Sequence, residues 1–223
     1  MDICRISFTE SGNEATVFTD AGIFDISRAD FNCFFAKIIG GSPISIKNKD
    51  FSDYLPLYAD DAELKELEAL AEKLRAIKYA AYLLGINDKS EKILRSKLKL
   101  KGYSGNAADA AVEVLKKNGY LSDERFCRRR CEILAQSKLF GRRRIISELM
   151  AKGLAYDLCD RIIDDAEIDF EENLKLLFDK LTKGNIPKDR EQKKKISDKL
   201  LRYGYSYGEI SELFNSLDFD DEA

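Results

Sequence analysis

Residues 120–153 read YLSDERFCRRRCEILAQSKLFGRRRIISELMAKG, and this stretch decides the fold. It holds the two densest arginine clusters, Arg128, Arg129 and Arg130, then Arg142, Arg143 and Arg144. It is also the middle copy of an internal repeat. A shift of 51 residues aligns Leu94, Leu98 and Lys101-Gly102 with Ile145, Leu149 and Lys152-Gly153, and then with Ile196, Leu200 and Tyr203-Gly204. Beyond the glycines, Ala108, Ala111, Val112 and Leu115 fall on Cys159, Ile162, Ile163 and Ala166, and again on Ile210, Leu213, Phe214 and Leu217. Each set has the i, i+3, i+4, i+7 spacing of a helix laid against a core. Three such stripes at one offset make a repeat of about fifty residues, and such small units gain stability by stacking.

Each copy reads as three helices. In the first these are the end of a long helix, a helix from about Ser90 to Lys101, and one from Ala107 to Lys117. Asp88 and Glu91 have capping-box spacing, with Ser90 as the alternative cap. The second copy opens at Ser122, with Phe126, Ile133 and Leu134 as expected core contacts and Tyr120 beside them. Its second helix follows Gly141 and its third covers Tyr156 to Asp165. The third copy spans about Glu172 to Leu217, broken by a turn at 183–187 and followed by an acidic tail, Asp218 to Glu222, expected to fray. Gly102, Gly153 and Gly204 stand where a left-handed residue closes a helix.

Upstream, ICRISF, EATVFT and GIFDI are short β-favouring runs separated by Gly, Asn and Asp, which predicts a small antiparallel meander. Ser27 caps an expected helix, RADFNCFFAKII, that stops at Gly40-Gly41. A short strand at Ile44 to Ile46 is expected. From Asp61, Leu64, Leu67, Leu70, Leu74, Ile77, Ala81 and Leu84 trace a long amphipathic helix, read as a strut into the repeats. The expected fold is mainly α: a small N-terminal β-containing unit followed by three tandem three-helix repeats in an elongated, curved array. The expected divisions are 1–60, 61–121, 122–171 and 172–223.

The formal net charge of −3 hides a polarity. Residues 1–77 balance to −6, 78–152 to +10 and 153–223 to −7. A basic centre between acidic ends speaks to partners rather than fold. No histidine is present, which excludes Ser-His-Asp and Cys-His chemistry and H-E-x-x-H metal sites. No phosphate-binding glycine loop occurs. Asp164-Asp165 and Asp220-Asp221 read as solvated surface, so no catalytic residue, cofactor or metal is expected. Five cysteines without a C-x-x-C pair, no signal peptide and no long apolar run suggest a cytoplasmic protein with free thiols and no membrane segment.

Between Arg125 and Lys152 nine basic residues meet only Glu132 and Glu148. If Ile145 and Leu149 face the core, a helix advancing about 100° per residue points Arg143 outward with Arg142 and Arg144 on opposite flanks. In the first copy the same geometry sends Lys99 outward and Lys97 to a flank, while Lys101 and Lys152 snorkel from nearer the stripe. Arginine-rich faces can serve solubility alone. Two triplets with so few neighbouring acids are costly for that purpose and favour a polyanion or acidic-protein contact. Few aromatics accompany them, so phosphate contact without base reading fits better than base stacking.

KLKLKGY at 97–103, GYLSDERF at 119–126 and G-R-x-x-I-x-x-E-L-x-x-K-G at 141–153 resemble signatures of the RecX family, bacterial regulators of the RecA recombinase. The third copy has Tyr203-Gly204-Tyr205 in place of the Lys-Gly pair and rests on periodicity. The resemblance implies a monomer that binds the RecA–single-stranded-DNA filament in its groove, with at most weak non-specific binding to free DNA. It also implies modulation, chiefly inhibition, of filament extension, ATP hydrolysis and strand exchange in DNA repair and the SOS response. Carried onto matching positions, the candidate contacts are Arg142, Arg143, Arg144 and Lys152, then Arg128, Arg129 and Arg130, then Lys97 and Lys99. Asp123, Glu124 and Arg125 read as cap and local ion pair. The rival classes are a tandem helix-turn-helix-like transcription regulator and a purely protein-binding solenoid.

Overall fold

The computed structural model describes residues 1–41, 51, 54–185, 187 and 189–220. The expected strand at 44–46 lies outside them. The molecule is mainly helical with a small N-terminal antiparallel sheet, and it divides into two compact units: residues 1–87 with 94–121, and residues 88–93 with 122–223.

The first unit opens with β1 (Asp2–Phe8), β2 (Glu14–Thr19) and β3 (Gly22–Ser27), followed by α1 (Arg28–Ile38). A fourth strand, β4 (Leu57–Tyr58), pairs with the start of β1, giving the order β3-β2-β1-β4. The alternation of the strands decides their faces. Ile3, Ala15, Val17 and Ile26 are buried, while Thr16 on β2 donates to Asp25 on β3 at 2.6 Å. Ser27 caps α1 by accepting from the Asp30 amide, and α1 lays Phe31, Phe34 and Phe35 on the sheet. Phe8 and Phe51 meet the Phe31 ring edge-on at 5.4 and 5.3 Å.

The strut helix, α2 (Asp61–Ile86), begins with a capping box between Asp60 and Glu63. Its two halves serve two cores. Leu67 and Ala71 pack into the sheet core; Ala76, Ala80 and Leu83 pack with α3 (Glu91–Leu100) and α4 (Gly105–Lys117). Lys73 and Lys78 pair with Asp30 and Glu14 at 2.8 and 2.6 Å, fixing α2 on the sheet side. Ser104 rather than a later residue caps α4, so that helix starts two residues before the expected Ala107. Glu72 accepts from the Ser104 amide and hydroxyl, both at 2.7 Å, and these bonds hold its carboxyl below the usual range.

The second unit holds α5 (Asp123–Gln136), α6 (Arg142–Ala151) and α7 (Tyr156–Asp165) around one core. Around a second core lie α8 (Phe170–Thr182), α9 (Arg190–Arg202) and α10 (Tyr207–Asp220). The helix of α10 reaches Asp220, so the acidic stretch expected to fray begins inside it. Tyr205 ties the two triplets together: it is buried and donates its hydroxyl to the Leu139 carbonyl at 3.1 Å. Two expected core residues are exposed instead, Tyr120 at 66% and Ile133 at 40%. The stripe of α5 is Cys127, Cys131, Leu134 and Ala135, which puts Ile133 roughly opposite Cys131 on the helix.

Candidate functional site

The basic face begins with helix starts. Ser122 accepts from the Arg125 amide and opens α5, and burial of Cys127 and Cys131 then orients its arginines. Those two thiols and Cys159 of α7 form a buried sulfur cluster. Burial pushes the Cys127 thiol up to about 12, helped by the neighbouring Cys159, and Cys131 up to about 11. Cys159 is raised for the same reason. Such thiols stay neutral and pack as small apolar groups. No group of metal-ligating side chains is found among the described residues.

Gly141 opens α6 without a side-chain cap, because the backbone of Gly204 lies where a Cβ would be, 2.7 Å away. Ile145 and Leu149 are fully buried, and Arg143 is exposed, as the helical geometry requires. The two flanking arginines are held. Arg142 forks onto α7, with Nη2 donating to Asp160 and Nη1 to Asp164, both at 2.7 Å. These charge-assisted bonds raise its already high pKa. Arg144 pairs with Glu148 one turn on at 2.7 Å and lies over the Phe140 ring, 5.6 Å from its centroid. Phe140 itself meets Tyr203 edge-on, which removes it as a platform for bases.

The triplet on α5 divides in the same way. Arg129 Nη1 reaches Asp88 at 2.7 Å, and Arg128 lies 3.9 Å from Asp165 and 4.0 Å from Glu124. Arg130 has no partner among the described residues, nor do the side chains of Arg143 and Lys152. Asp88 is therefore an ion-pair partner and not the cap of α3; that cap is Ser90, which accepts from the Ile93 amide at 3.3 Å. Asp123 accepts from the Glu91 amide at 2.8 Å and so serves α3 as well as standing in its own helix.

The structure thus brings Arg128, Arg129, Arg130, Arg142, Arg143, Arg144 and Lys152 into one unit, on helices that share a core. Lys97 and Lys99 lie on exposed positions of α3 in the other unit, without partners among the described residues. Lys138 after α5 and Arg161 on α7 are further exposed cations without a partner among the described residues. The missed acids matter more. Glu132 and Glu148 are not the only carboxylates near the triplets, since Asp88, Asp160, Asp164 and Asp165 arrive from other elements. Their signal was the i, i+4 spacing of Asp160 and Asp164 opposite the apolar stripe of α7.

Partly exposed ion pairs of this kind contribute about 0–1 kcal/mol each. A phosphate can therefore recruit a held arginine at modest cost, while the free ones are available at once. No helix among the described residues is long and apolar enough to cross a membrane.

No protein-family model matches the chain. It is 31% identical over 145 residues to the regulatory protein RecX of Haemophilus ducreyi, which covers 65% of this chain and 91% of that protein. To the regulatory protein RecX of Actinobacillus pleuropneumoniae serotype 5b it is 34% identical over 146 residues, 66% of this chain and 94% of the other. Its fold is similar to a crystal structure of a regulatory protein RecX, with a TM-score of 0.72 over 96% of this chain and 98% of that one, at 16% identity.

Proposed function

The chain belongs to the RecX family, and from that premise we propose that it is a non-enzymatic regulator of the RecA recombinase. It binds the RecA–single-stranded-DNA filament in its groove and restrains filament extension, ATP hydrolysis and strand exchange, so acting in DNA repair and the SOS response in the cytoplasm. It works as a monomer. The observation that carries this reading is the basic face of α5 and α6, where Arg130, Arg143 and Lys152 have no partner among the described residues and stand beside four arginines in exchangeable surface pairs. Lys97 and Lys99 are proposed as a contact of the first repeat in its own right. The four-part division at 60, 121 and 171 is proposed as the functional division of the chain.

On the outward side α6 presents Arg143, Ser147 and Met150, and this set lacks the Asn and Gln that read adenine edges. Phosphates and acidic side chains are its natural ligands, and their binding depends steeply on salt. The test is binding of the full chain to RecA filaments on single-stranded DNA across a salt series. The expected result is affinity that falls as salt rises and exceeds affinity for naked single strands. Equal affinity for naked DNA would overturn filament recognition, and sequence-selective duplex binding would favour a transcription regulator.

A further inference from the structure

Among the described residues the repeat contains a junction that is formed twice and left open once. The second helices of the three copies, α3, α6 and α9, end in the same way. Residues Gly102, Gly153 and Gly204 have φ of 98°, 92° and 99°. The following amide returns to the carbonyl five residues earlier in each: Tyr103 to Leu98, Leu154 to Leu149 and Tyr205 to Leu200, at 3.2, 3.4 and 3.3 Å. In two of the three, the start of another helix sits on this end. The Ser90 hydroxyl donates to the Lys152 carbonyl at 2.5 Å, and the Gly141 amide donates to the Tyr203 carbonyl at 2.8 Å. The glycine is then pressed from outside. A Cβ on Gly153 would lie 2.3 Å from the Lys92 side chain, and one on Gly204 would lie 2.5 Å from Arg144.

The end of α3 has the same shape and no occupant among the described residues. A Cβ on Gly102 would meet nothing within 4 Å, and the Lys101 carbonyl accepts no hydrogen bond from the described residues. Beside it Leu100 is 87% exposed, where the other two copies carry Ala151 and Arg202.

We propose that the end of α3 is a docking seat for the first turn of a helix in a partner protein. The two filled junctions say what fits: a helix that starts with a small residue, Ser or Gly, whose hydroxyl or amide reaches the last carbonyl. A helix start carries partial positive charge and the end of α3 partial negative charge, so the meeting is favourable. Lys99 and Lys101 flank the seat and select a partner with an acidic first turn, while Leu100 offers apolar cover. The equivalent helix starts of a second copy do not supply the occupant: those of α3 and α6 are already seated, and that of α9 is closed by the Asp189 side chain, with Gln192 where Ser90 and Gly141 stand.

The inference rests on the proposed function, which makes the partner the recombinase. The experiment places a benzophenone side chain at Leu100 of the full chain and at Leu176 as an exposed control on α8. Each protein is irradiated on RecA filaments, with filament binding measured in parallel. The seat predicts cross-linking from position 100, and not 176, to the first turn of a recombinase helix. It also predicts that Leu100→Asp with Lys101→Glu lowers filament affinity at least five-fold while Leu176→Asp changes it less than two-fold. Filament binding that persists with no protein cross-link from position 100, or with cross-links to DNA or to a second copy, overturns the seat and leaves the proposed function standing. Failure of the unmodified chain to bind filaments removes both.

Discussion

The triplets on α5 and α6 are identical in sequence and unequal in space. On α6, Arg142 is fixed by two carboxylates of α7, whereas Arg143, the next residue, has no partner among the described residues. On α5, Arg129 reaches a single carboxylate and Arg128 two loose ones, while Arg130 is free. A run of like charges on a helix sends its members in three directions, and each meets whatever the neighbouring elements supply. The α6 triplet accordingly combines a structural arginine with a binding one. The α5 triplet combines one single ion pair, one loosely held arginine and Arg130, which has no partner among the described residues. Cation density in a sequence measures neither role by itself.

The largest effect expected is on the sulfur core that both triplets stand on. The folded state holds Cys127, Cys131 and Cys159 above their ordinary pKa, so the unfolded chain loses those protons first as pH rises. Stability is then complete below about pH 8.5 and falls above it, by roughly 1 kcal/mol per pH unit for each buried thiol. Urea unfolding between pH 7 and 10.5 should show this loss, and Cys127→Ala with Cys159→Ala should reduce it to the share of Cys131. A flat profile in the unsubstituted protein would place ionised or solvated thiols in the core.

Next comes the free pair. Arg130→Glu with Arg143→Glu should weaken filament binding at least ten-fold and leave thermal stability within about 2 °C, because neither side chain has a partner among the described residues to lose. A large drop in melting temperature would show that these residues are structural after all. Arg142→Ala should do the reverse. Loss of the Asp160–Arg142–Asp164 fork should cost about 1 kcal/mol in urea unfolding, with filament affinity reduced no more than three-fold. The smallest effect sharpens the same contrast. Asp160→Asn with Asp164→Asn releases Arg142 and should tighten binding about two-fold at low salt, with the gain gone at high salt. Weaker binding by that variant would mean that the fork orients the face.

The helical architecture was legible wherever local chemistry decides. Ser27 and Ser122 cap as read, and the three glycines after α3, α6 and α9 take the positive φ that the fixed offset implied. β4 was not legible, since two residues beside a proline carry no period, and its pairing with β1 is a long-range matter. Ile133 was expected in the core, but Cys127 and Cys131, packing as small apolar residues with Leu134 and Ala135, mark the true stripe. The free and held arginines could not be told apart. The acids that decide lie 18 and 22 residues from Arg142 and 41 from Arg129, beyond any local rule.

The central claim is that the chain acts on the filament and not on DNA alone. Its most direct test is steady-state ATP hydrolysis by RecA on single-stranded DNA at near-physiological salt, with this protein titrated in. The account predicts a dose-dependent loss of hydrolysis at substoichiometric protein that persists when duplex DNA is added in excess. Unchanged hydrolysis at stoichiometric protein, or a loss abolished by the competitor, would contradict it.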